Sequence, residues 1–550
     1  MSEHHHPTSS GRLRAATAGL LAAAVGLAAA ELTTAITRAW RSPVESVAEV
    51  VIDRAPRPVT KFAIEQFGSN DKLALVVGIL ATLAVVGVVV GLASRRRAVA
   101  GPVAFAAFAL IGALAALERT GAPWHAVVPA LVAGVVGAAT LRLLEGRPVL
   151  PDRARDATRA MAASVAGAVG RPDAIDAAGE DGDERRAPTE AHDGVDRRRF
   201  LVLSGALVAV AGLAAAGGRF LRERFSATES RDNLVLPAAD EPLAPLDDRY
   251  GVDVDAMTPF RTSNADFYRI DTALTVPQVP VEGWQLDVTG MVDQPLSLSF
   301  DELCERGLVE ADVTLTCVSN RVGGDLVDNA RWLGVPLQRL LDEAGVDPAA
   351  DQVVGRSVDG YTCGFPVEAV GDGRTCLVAV GMNGEPLPLE HGFPARLVTA
   401  GLYGYVSATK WLTEIELTTF DDFESYWVPR GYAVRAPIKT QCRIDVPRTG
   451  TPVTAGPQVI AGVAWAQTRG IAKVEVQVDD GPWRPAELAP ELTDETWRQW
   501  RIDWEAEEGP TRLRCRATDG DGELMPEARS EPLPDGATGW PSKVVIVQAA

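Results

Sequence analysis

Five long apolar runs organise the first part of the chain: Ala15 to about Ile36, Leu73 to Ala93, Val99 to Leu117, Val127 to Leu144 and Val202 to Gly218. Each is close to the ~20 residues a helix needs to cross the hydrocarbon core of a bilayer. They have little polar face, which argues against four buried helices of a soluble domain followed by one more. Basic clusters flank them: Arg12 and Arg14, Arg95 to Arg97, Arg142 and Arg147, and Arg197 to Arg199. If the helices alternate in direction, all these clusters fall on one side, and the positive-inside rule makes that side cytoplasmic. The fifth helix then delivers everything after Arg219 to the outside. The expectation is a multi-pass protein of the cell membrane with an extracytoplasmic C-terminal portion.

The pattern between and after the runs divides the rest. Residues 1–150 hold four membrane helices. Residues 151–199 are rich in Ala, Asp, Glu, Arg and Gly and poor in aromatics, a composition that predicts a solvated, disordered cytoplasmic linker, with room for a short helix around Ala157 to Val169. Asp196-Arg197-Arg198-Arg199-Phe200-Leu201 precedes the fifth helix, 200–218, in the form of a twin-arginine export signal left uncleaved as an anchor. A plain stop-transfer helix fits the same residues. Residues 219–257 are acidic and Pro-rich, a surface linker. Over 258–436 strands and short helices mix without a strict βαβ period, which predicts an α+β domain. Within it, Trp284 to Val288 predicts a strand turning at Gly290, and Phe300 to Glu305 starts a helix. Val313, Leu315 and Cys317 alternate as a strand, and Ser319-Asn320-Arg321 leads into the close turn of Gly323-Gly324. Trp332 to Leu341 predicts a turn into an amphipathic helix that ends at Gly345. Over 437–550 short runs alternate at period two: Val459 to Trp465, Val474 to Val478, Trp500 to Trp504 and Leu513 to Ala517. Turns fall at Asp480-Gly481 and Asp519-Gly520, so the prediction is an all-β, immunoglobulin-like sandwich. Trp497, Trp500 and Trp504 are its core or interface.

Composition narrows the function. A net charge of −20 over 550 residues argues against nucleic acid as a partner. The six cysteines contain no CxxC pair, which leaves zinc ribbons, thioredoxin-like sites and CxxCH haem attachment without support. Cys363 and Cys376 are either a disulfide or two separate buried thiols. The six histidines are His4, His5, His6, His125, His192 and His391. Only His125 adjoins a membrane run, and one His does not make a bis-His haem site. The helical part is therefore expected to be an anchor, and His4 to His6 a solvated tail.

Taken locally, Cys317 at a strand end facing a Gly-rich loop fits a buried structural thiol as well as a ligand. The motifs around it decide more. Thr316-Cys317-Val318-Ser319-Asn320-Arg321 with Ala330-Arg331-Trp332-Leu333-Gly334-Val335-Pro336-Leu337 resembles the molybdenum-ligand segment of the sulfite oxidase family. Gly381-Met382-Asn383-Gly384-Glu385-Pro386-Leu387-Pro388, His391-Gly392-Phe393-Pro394-Ala395-Arg396 and Gly401 to Trp411 (GLYGYVSATKW) resemble its cofactor-binding run. The likeness covers roughly Pro259 to the C-terminus.

That resemblance implies a mononuclear molybdenum on a single molybdopterin, with Cys317 as the protein thiolate beside two soft dithiolene sulfurs. Asn264, Phe267 and Tyr268 match a segment that reaches the pterin, and Asp359 is expected at the pterin ring. His391, Arg396 and Lys410 are expected at the anionic tail, with Ser407 and Thr409 as neutral partners. Arg321 matches a catalytic arginine, and Tyr432 falls where an active-site tyrosine is expected. The implied reaction is two-electron oxo transfer to or from a small sulfur or nitrogen oxyanion or oxide. An S-oxide reductase is the same site run in reverse, and a cofactor-free scaffold that keeps the fold is the alternative of another class. No haem domain is encoded, so a separate cytochrome or quinone-linked electron partner is expected, and the C-terminal domain is expected to mediate a homodimer. Val322 stands where good sulfite oxidisers resemble one another in carrying a second arginine. Sulfite is therefore expected to be a poor substrate, unless Arg430 or Arg498 supplies the missing charge.

Overall fold

The computed structural model describes residues 9–148, 197–223 and 226–549, apart from scattered positions between 38 and 121. They fall into two units, Met1–Phe225 and Ser226–Ala550. The linker expected over 151–199, save its last three residues, lies outside the described residues, as do the helix expected at 157–169, His4 to His6 and His192.

The first unit is helical, with α1 (Ser9–Thr34), α2 (Pro43–Arg54), α3 (Asp71–Ser94), α4 (Ala100–Glu118), α5 (Val128–Leu144) and α6 (Arg197–Glu223). Five stretches are long and apolar enough to cross a membrane: Gly11–Thr34, Lys72–Ser94, Ala100–Glu118, Trp124–Leu144 and Arg198–Leu221. These are the five apolar runs. The short helix α2 has a local cause: Ser42 accepts from the Val44 N–H, Glu45 completes a capping box, and Pro43 opens the first turn. Helices α1 and α3 meet backbone to backbone, since a Cβ on Gly19 would lie 2.0 Å from the Gly87 carbonyl oxygen and one on Gly91 2.0 Å from that of Ala15. Small residues allow such approach between apolar helices.

The basic ends gather. Gly11, early in α1, lies against the Arg95 guanidinium. Arg147 donates to the Ser94 carbonyl at 3.0 Å. Phe200, early in α6, shares an apolar cluster with Leu141 and Leu144, late in α5. At the other end Gly218 of α6 lies against Glu31 of α1.

The described residues of the second unit form four sheets. One sheet joins β1 (Gln285–Gly290), β2 (Leu296–Ser299), β5 (Gln352–Ser357), β6 (Thr362–Pro366) and β10 (Leu412–Thr418) in the order β2-β1-β10-β5-β6. The next runs β3-β4-β7-β8, with β9 also on β7, from β3 (Val309–Thr316), β4 (Val327–Pro336), β7 (Cys376–Met382), β8 (Glu385–Pro386) and β9 (Arg396–Thr399). Short helices intervene, so the domain is α+β as its mixed pattern predicts. One boundary differs. Ala330 to Pro336 is strand, paired to β3 as far as Gly334 and to β7 from Trp332 onward. Pro336 disfavours helix in the residue before it, so the amphipathic helix α7 begins only at Leu337. It ends at Ala344, where Gly345 takes the left-handed φ of 69°.

Residues 226–257 are not a free linker. Arg231 donates to the Leu387 carbonyl at 2.9 Å and pairs with Glu385 at 3.0 Å. The Asp240 N–H reaches the Leu308 carbonyl, and Arg331 the Ala244 carbonyl. An acidic, Pro-rich strap can follow a surface when its backbone finds such partners.

The C-terminal part is a two-sheet sandwich. β11 (Gln441–Val446), β13 (Gly456–Trp465), β16 (Glu487–Leu488) and β17 (Arg498–Ala506) form one sheet in the order β11-β13-β17-β16. β12 (Val453–Thr454), β14 (Ile471–Val478), β15 (Arg484–Pro485), β18 (Gly509–Asp519) and β19 (Ser542–Gln548) form the other, ordered β12-β19-β18-β14-β15. Trp500 and Trp504 sit in the core between them. Trp497 instead enters the α+β core, its indole N–H reaching the Phe260 carbonyl at 2.8 Å. Burying a side chain of that size stabilises by roughly 3 kcal/mol, and here it ties sandwich to α+β domain. Cys363 and Cys376 are separate thiols in different sheets. Cys363 accepts from the Thr409 hydroxyl at 2.8 Å, and Cys376 contacts that of Thr399 at 3.1 Å.

Candidate active site

Cys317 directly follows β3 and opens the loop to β4. Its N–H donates to the Leu326 carbonyl at 3.0 Å, and the Asn320 side chain accepts from the Leu326 N–H at 3.1 Å. The loop is thus stapled at its base. It turns at Gly323, φ 74°, and Gly324 packs so close to Asn320 that a Cβ would lie 2.5 Å from the amide oxygen. The result aims the Cys317 sulfur into a cavity while leaving the residue 7% exposed. Burial raises the thiol's pKa, and the Ser319 N–H, 3.4 Å from Sγ, and the Lys410 charge oppose that rise.

The cavity encloses some 860 Å³ of non-protein space including its open mouth. Of the residues expected at the site, Cys317, Phe267, Tyr268, Asp359, His391, Arg396, Lys410 and Tyr432 line it. Asp328 positions the first pair: its carboxylate accepts from the Tyr268 N–H at 2.7 Å and the Thr262 hydroxyl at 2.9 Å. Burial raises its pKa to about 6. His391 meets the Phe267 ring edge-on at 5.5 Å. Its Nε2 lies 3.1 Å from the Asn264 carbonyl oxygen. A carbonyl only accepts, so Nε2 carries the proton and Nδ1 remains an acceptor. Burial, with Arg396 and Lys410 nearby, pushes the His391 pKa down to about 3, so the ring is neutral at ordinary pH.

Arg396 is buried over the Trp332 ring, and its hydrogen bonds among the described residues go to the carbonyls of His391, Leu397 and Ala408. Burial lowers its pKa to about 10. Lys410 pairs with Asp271 at 3.1 Å, and burial lowers its pKa to about 8. Two buried cations beside one buried carboxylate, itself shared with Arg269 at 2.9 Å, leave positive charge that an anion would offset.

Other expected residues do not line the cavity. The Asn264 amide is spent on the Met382 carbonyl at 3.1 Å, Glu385 and Asn383, though its own carbonyl holds His391. Ser407 donates to the Leu402 and Tyr403 carbonyls, and Thr409 to Gly355 and Cys363. Arg321, matched to a catalytic arginine, is exposed and is not among the residues that line the cavity. Arg430 lies 3.7 Å above the Tyr426 ring, and Arg498 donates to the Ala489 and Ile471 carbonyls, both at 2.7 Å. Neither supplies a cation to the cavity.

Sequence reading missed several other residues of the lining: Ile270, Asp271, Tyr361, Tyr405 and Trp427. Tyr361 donates to the Tyr405 carbonyl and Tyr405 to that of Ala433, both at 2.7 Å, which fixes the rings. Tyr405 lies inside the GLYGYVSATKW run, a signal that was present. Trp427 opens the run that ends at Tyr432, and Tyr361 lies two residues past Asp359, so each stands beside a residue that the sequence did mark.

The chain matches the family model described as the oxidoreductase molybdopterin binding domain over residues 273–427. It is 36% identical to the oxidoreductase YuiH of Bacillus subtilis (strain 168) over 152 residues, 28% of this chain and 73% of that protein. It is 29% identical to mitochondrial sulfite oxidase of Rattus norvegicus over 303 residues, 46% of this chain and 55% of that protein, so it spans about half the length of that relative. Sulfite oxidase of Gallus gallus is 27% identical, covering 62% of this chain and 88% of its own. Among solved structures, the sulfane dehydrogenase SoxCD of Paracoccus pantotrophus aligns at 23% identity and a TM-score of 0.47, covering 54% of this chain and 85% of that one. The chain belongs to the sulfite oxidase family of molybdopterin-binding oxidoreductases. The matched domain is of the molybdopterin-binding, molybdenum-dependent oxidoreductase type.

The residues present fit that cofactor. A soft sulfur faces the cavity at Cys317, and the Arg396 guanidinium, buried with only carbonyl acceptors, suits an anionic tail.

Proposed function

We propose that this chain is a membrane-anchored oxidoreductase whose molybdopterin domain lies outside the cytoplasm. There it moves one oxygen atom, with two electrons, between water and a small sulfur or nitrogen oxide of no net charge. When bound, molybdopterin supplies the two-electron couple and the exchangeable oxygen. The chain's residues do the rest. Cys317 offers one thiolate, favoured by the Ser319 N–H and Lys410. His391, Arg396 and Lys410 hold the anionic end of the cofactor, and Asp359 and Tyr268 flank its ring. The Tyr268 hydroxyl, its pKa well above the usual tyrosine range through burial, stays a proton donor in hydrogen bonds.

The observation that carries the substrate reading is the cavity lining around Cys317. Ile270, Tyr361, Tyr405, Trp427 and Tyr432 make much of it apolar. Asp271 is paired with Lys410 and Arg269, and the Lys410 and Arg396 charges are assigned to the anionic end of the cofactor. An anion such as sulfite would therefore find no further guanidinium from Arg321, Arg430 or Arg498. A neutral oxide with apolar substituents meets a wall of its own kind.

The remaining parts follow the chain's layout. Helices α1 and α3 to α6 anchor it, with their basic end in the cytoplasm by the positive-inside rule. Arg197-Arg198 serves as an export signal. A separate cytochrome or quinone-linked protein exchanges electrons with the site. The immunoglobulin-like sandwich over 437–550 pairs two copies. Steady-state kinetics of the molybdenum-loaded protein test the reading, with dimethyl sulfoxide and trimethylamine N-oxide under a reduced viologen and sulfite under ferricyanide. The kcat/KM for a neutral oxide is expected to exceed that for sulfite by about tenfold or more. Efficient sulfite oxidation without turnover of either oxide overturns it.

A further inference from the structure

Cys442 and Cys515 face each other across the sandwich, outside the cavity and outside any role in oxo transfer. Cys442 is on β11 of one sheet and Cys515 on β18 of the other. They are 1% and 0% exposed. Their sulfurs lie 2.9 Å apart, well inside the ~3.5–4.0 Å at which non-bonded heavy atoms settle. Met525 completes the pocket, its sulfur 3.6 Å from that of Cys442. Cys304, Cys317, Cys363 and Cys376 have no such neighbour: two engage threonines, and Cys317 faces the cavity. From this geometry we infer that Cys442 and Cys515 form a disulfide that bolts the two sheets together in the mature protein.

The inference rests on the external placement proposed above, since disulfides persist in oxidising compartments and not in a reducing cytoplasm. The oxidant is a disulfide-bearing exchange protein or small disulfide of that compartment. The Cys442 thiolate attacks one donor sulfur and breaks the donor S–S bond, giving a mixed disulfide. The Cys515 thiolate then attacks the Cys442 sulfur and releases the donor. Both protons and both electrons leave on the donor as a dithiol. Access does not require global unfolding. β11 is the terminal strand of its sheet, paired only to β13, so its local release opens the pair to solvent. Once formed, the bond closes a long loop and removes that opening.

The test uses the full-length protein from its own membranes, trapped in denaturant with N-ethylmaleimide and digested without reduction. Peptides holding Cys442 and Cys515 are expected joined, lighter than the two thiols by two hydrogens, with the other four cysteines alkylated. A reductant is expected to lower the melting temperature of this protein by ~5 °C or more and to leave a Cys442→Val/Cys515→Ala variant unmoved. Maleimide on both cysteines, or a bond to any other partner, overturns the inference. Treating such a thiol-form protein with oxidised glutathione then locates the failure. Joining at Cys442 and Cys515 puts it in the placement of the domain, and no joining puts it in the pairing itself.

Discussion

Lys410 donates to the Asp271 carboxylate at 3.1 Å, and both side chains are almost wholly buried beside Cys317. The pair is incomplete as a charge balance. Burial drives the Lys410 pKa down to about 8, against the pull of Asp271 and with a further push from Arg396. An unfolded lysine keeps its proton to about pH 10.4. Between these values the unfolded chain binds more protons than the folded one, so stability rises with pH across that window. The cofactor-free domain is expected to gain on the order of 1–3 kcal/mol from about pH 7 to about pH 10, measured by urea unfolding. The gain is expected to vanish in Lys410→Met. A flat profile in the parent protein counts against an uncompensated ammonium at this site.

Arg396 makes the complementary case. Its guanidinium is buried against carbonyls alone, at 3.1, 3.3 and 3.5 Å. Removing such a charge relieves the empty fold and weakens the hold on an anion. Arg396→Met is expected to lower molybdopterin content by about tenfold or more while the cofactor-free melting temperature stays level or rises. Full cofactor retention in this variant would show that the anionic tail binds elsewhere.

The arginines outside the cavity are expected to matter little. Arg321 is exposed, Arg430 rests on Tyr426, and Arg498 serves backbone carbonyls of the sandwich. Arg321→Ala, Arg430→Ala and Arg498→Ala are each expected to leave KM for a neutral oxide within about threefold of the parent value. A large KM rise in Arg321→Ala would mean that the loop through Gly323-Gly324 turns that side chain inward during turnover.

How much of this was legible in the chain depends on the range of the cause. The five long apolar helices were, because apolar run length is a local property. So was the place of Cys317 at a cavity, because the loop to Arg321 and the strand after it are contiguous. Strand β4 was misread beyond Ala330, since the apolar spacing from Trp332 to Leu341 fits a helix until the conformational bias before Pro336 is counted. The strap at 226–257 read as linker because two of its partners, at Leu308 and Leu387, are backbone carbonyls with no sequence mark. The aromatic lining was largely hidden because its residues are far apart in the chain. Tyr361, Tyr405 and Trp427 meet only after the β5–β6 turn and the segment following β10 close on one another.

The topology has its own check. A reporter fused after Gly218 is expected to act outside the cytoplasm and one fused near Asp176 inside. Arg197→Lys/Arg198→Lys keeps the charge that a stop-transfer helix uses, so failed export in this variant marks a twin-arginine signal. Normal export marks a plain anchor, and both fusions on one side contradict the five-helix arrangement.

The central claim is that Cys317 is the protein thiolate of a molybdenum enzyme, and its direct test is Cys317→Ser in the full-length protein. Molybdopterin and molybdenum content are measured beside turnover of dimethyl sulfoxide. Serine replaces a soft thiolate by a hard, weakly acidic oxygen, while the proposed cofactor contacts of His391, Arg396 and Lys410 are left unaltered. The account predicts a folded protein that retains pterin and loses turnover by about a thousandfold or more. Turnover close to the parent's in Cys317→Ser, or a parent protein that turns over without molybdenum, would contradict it.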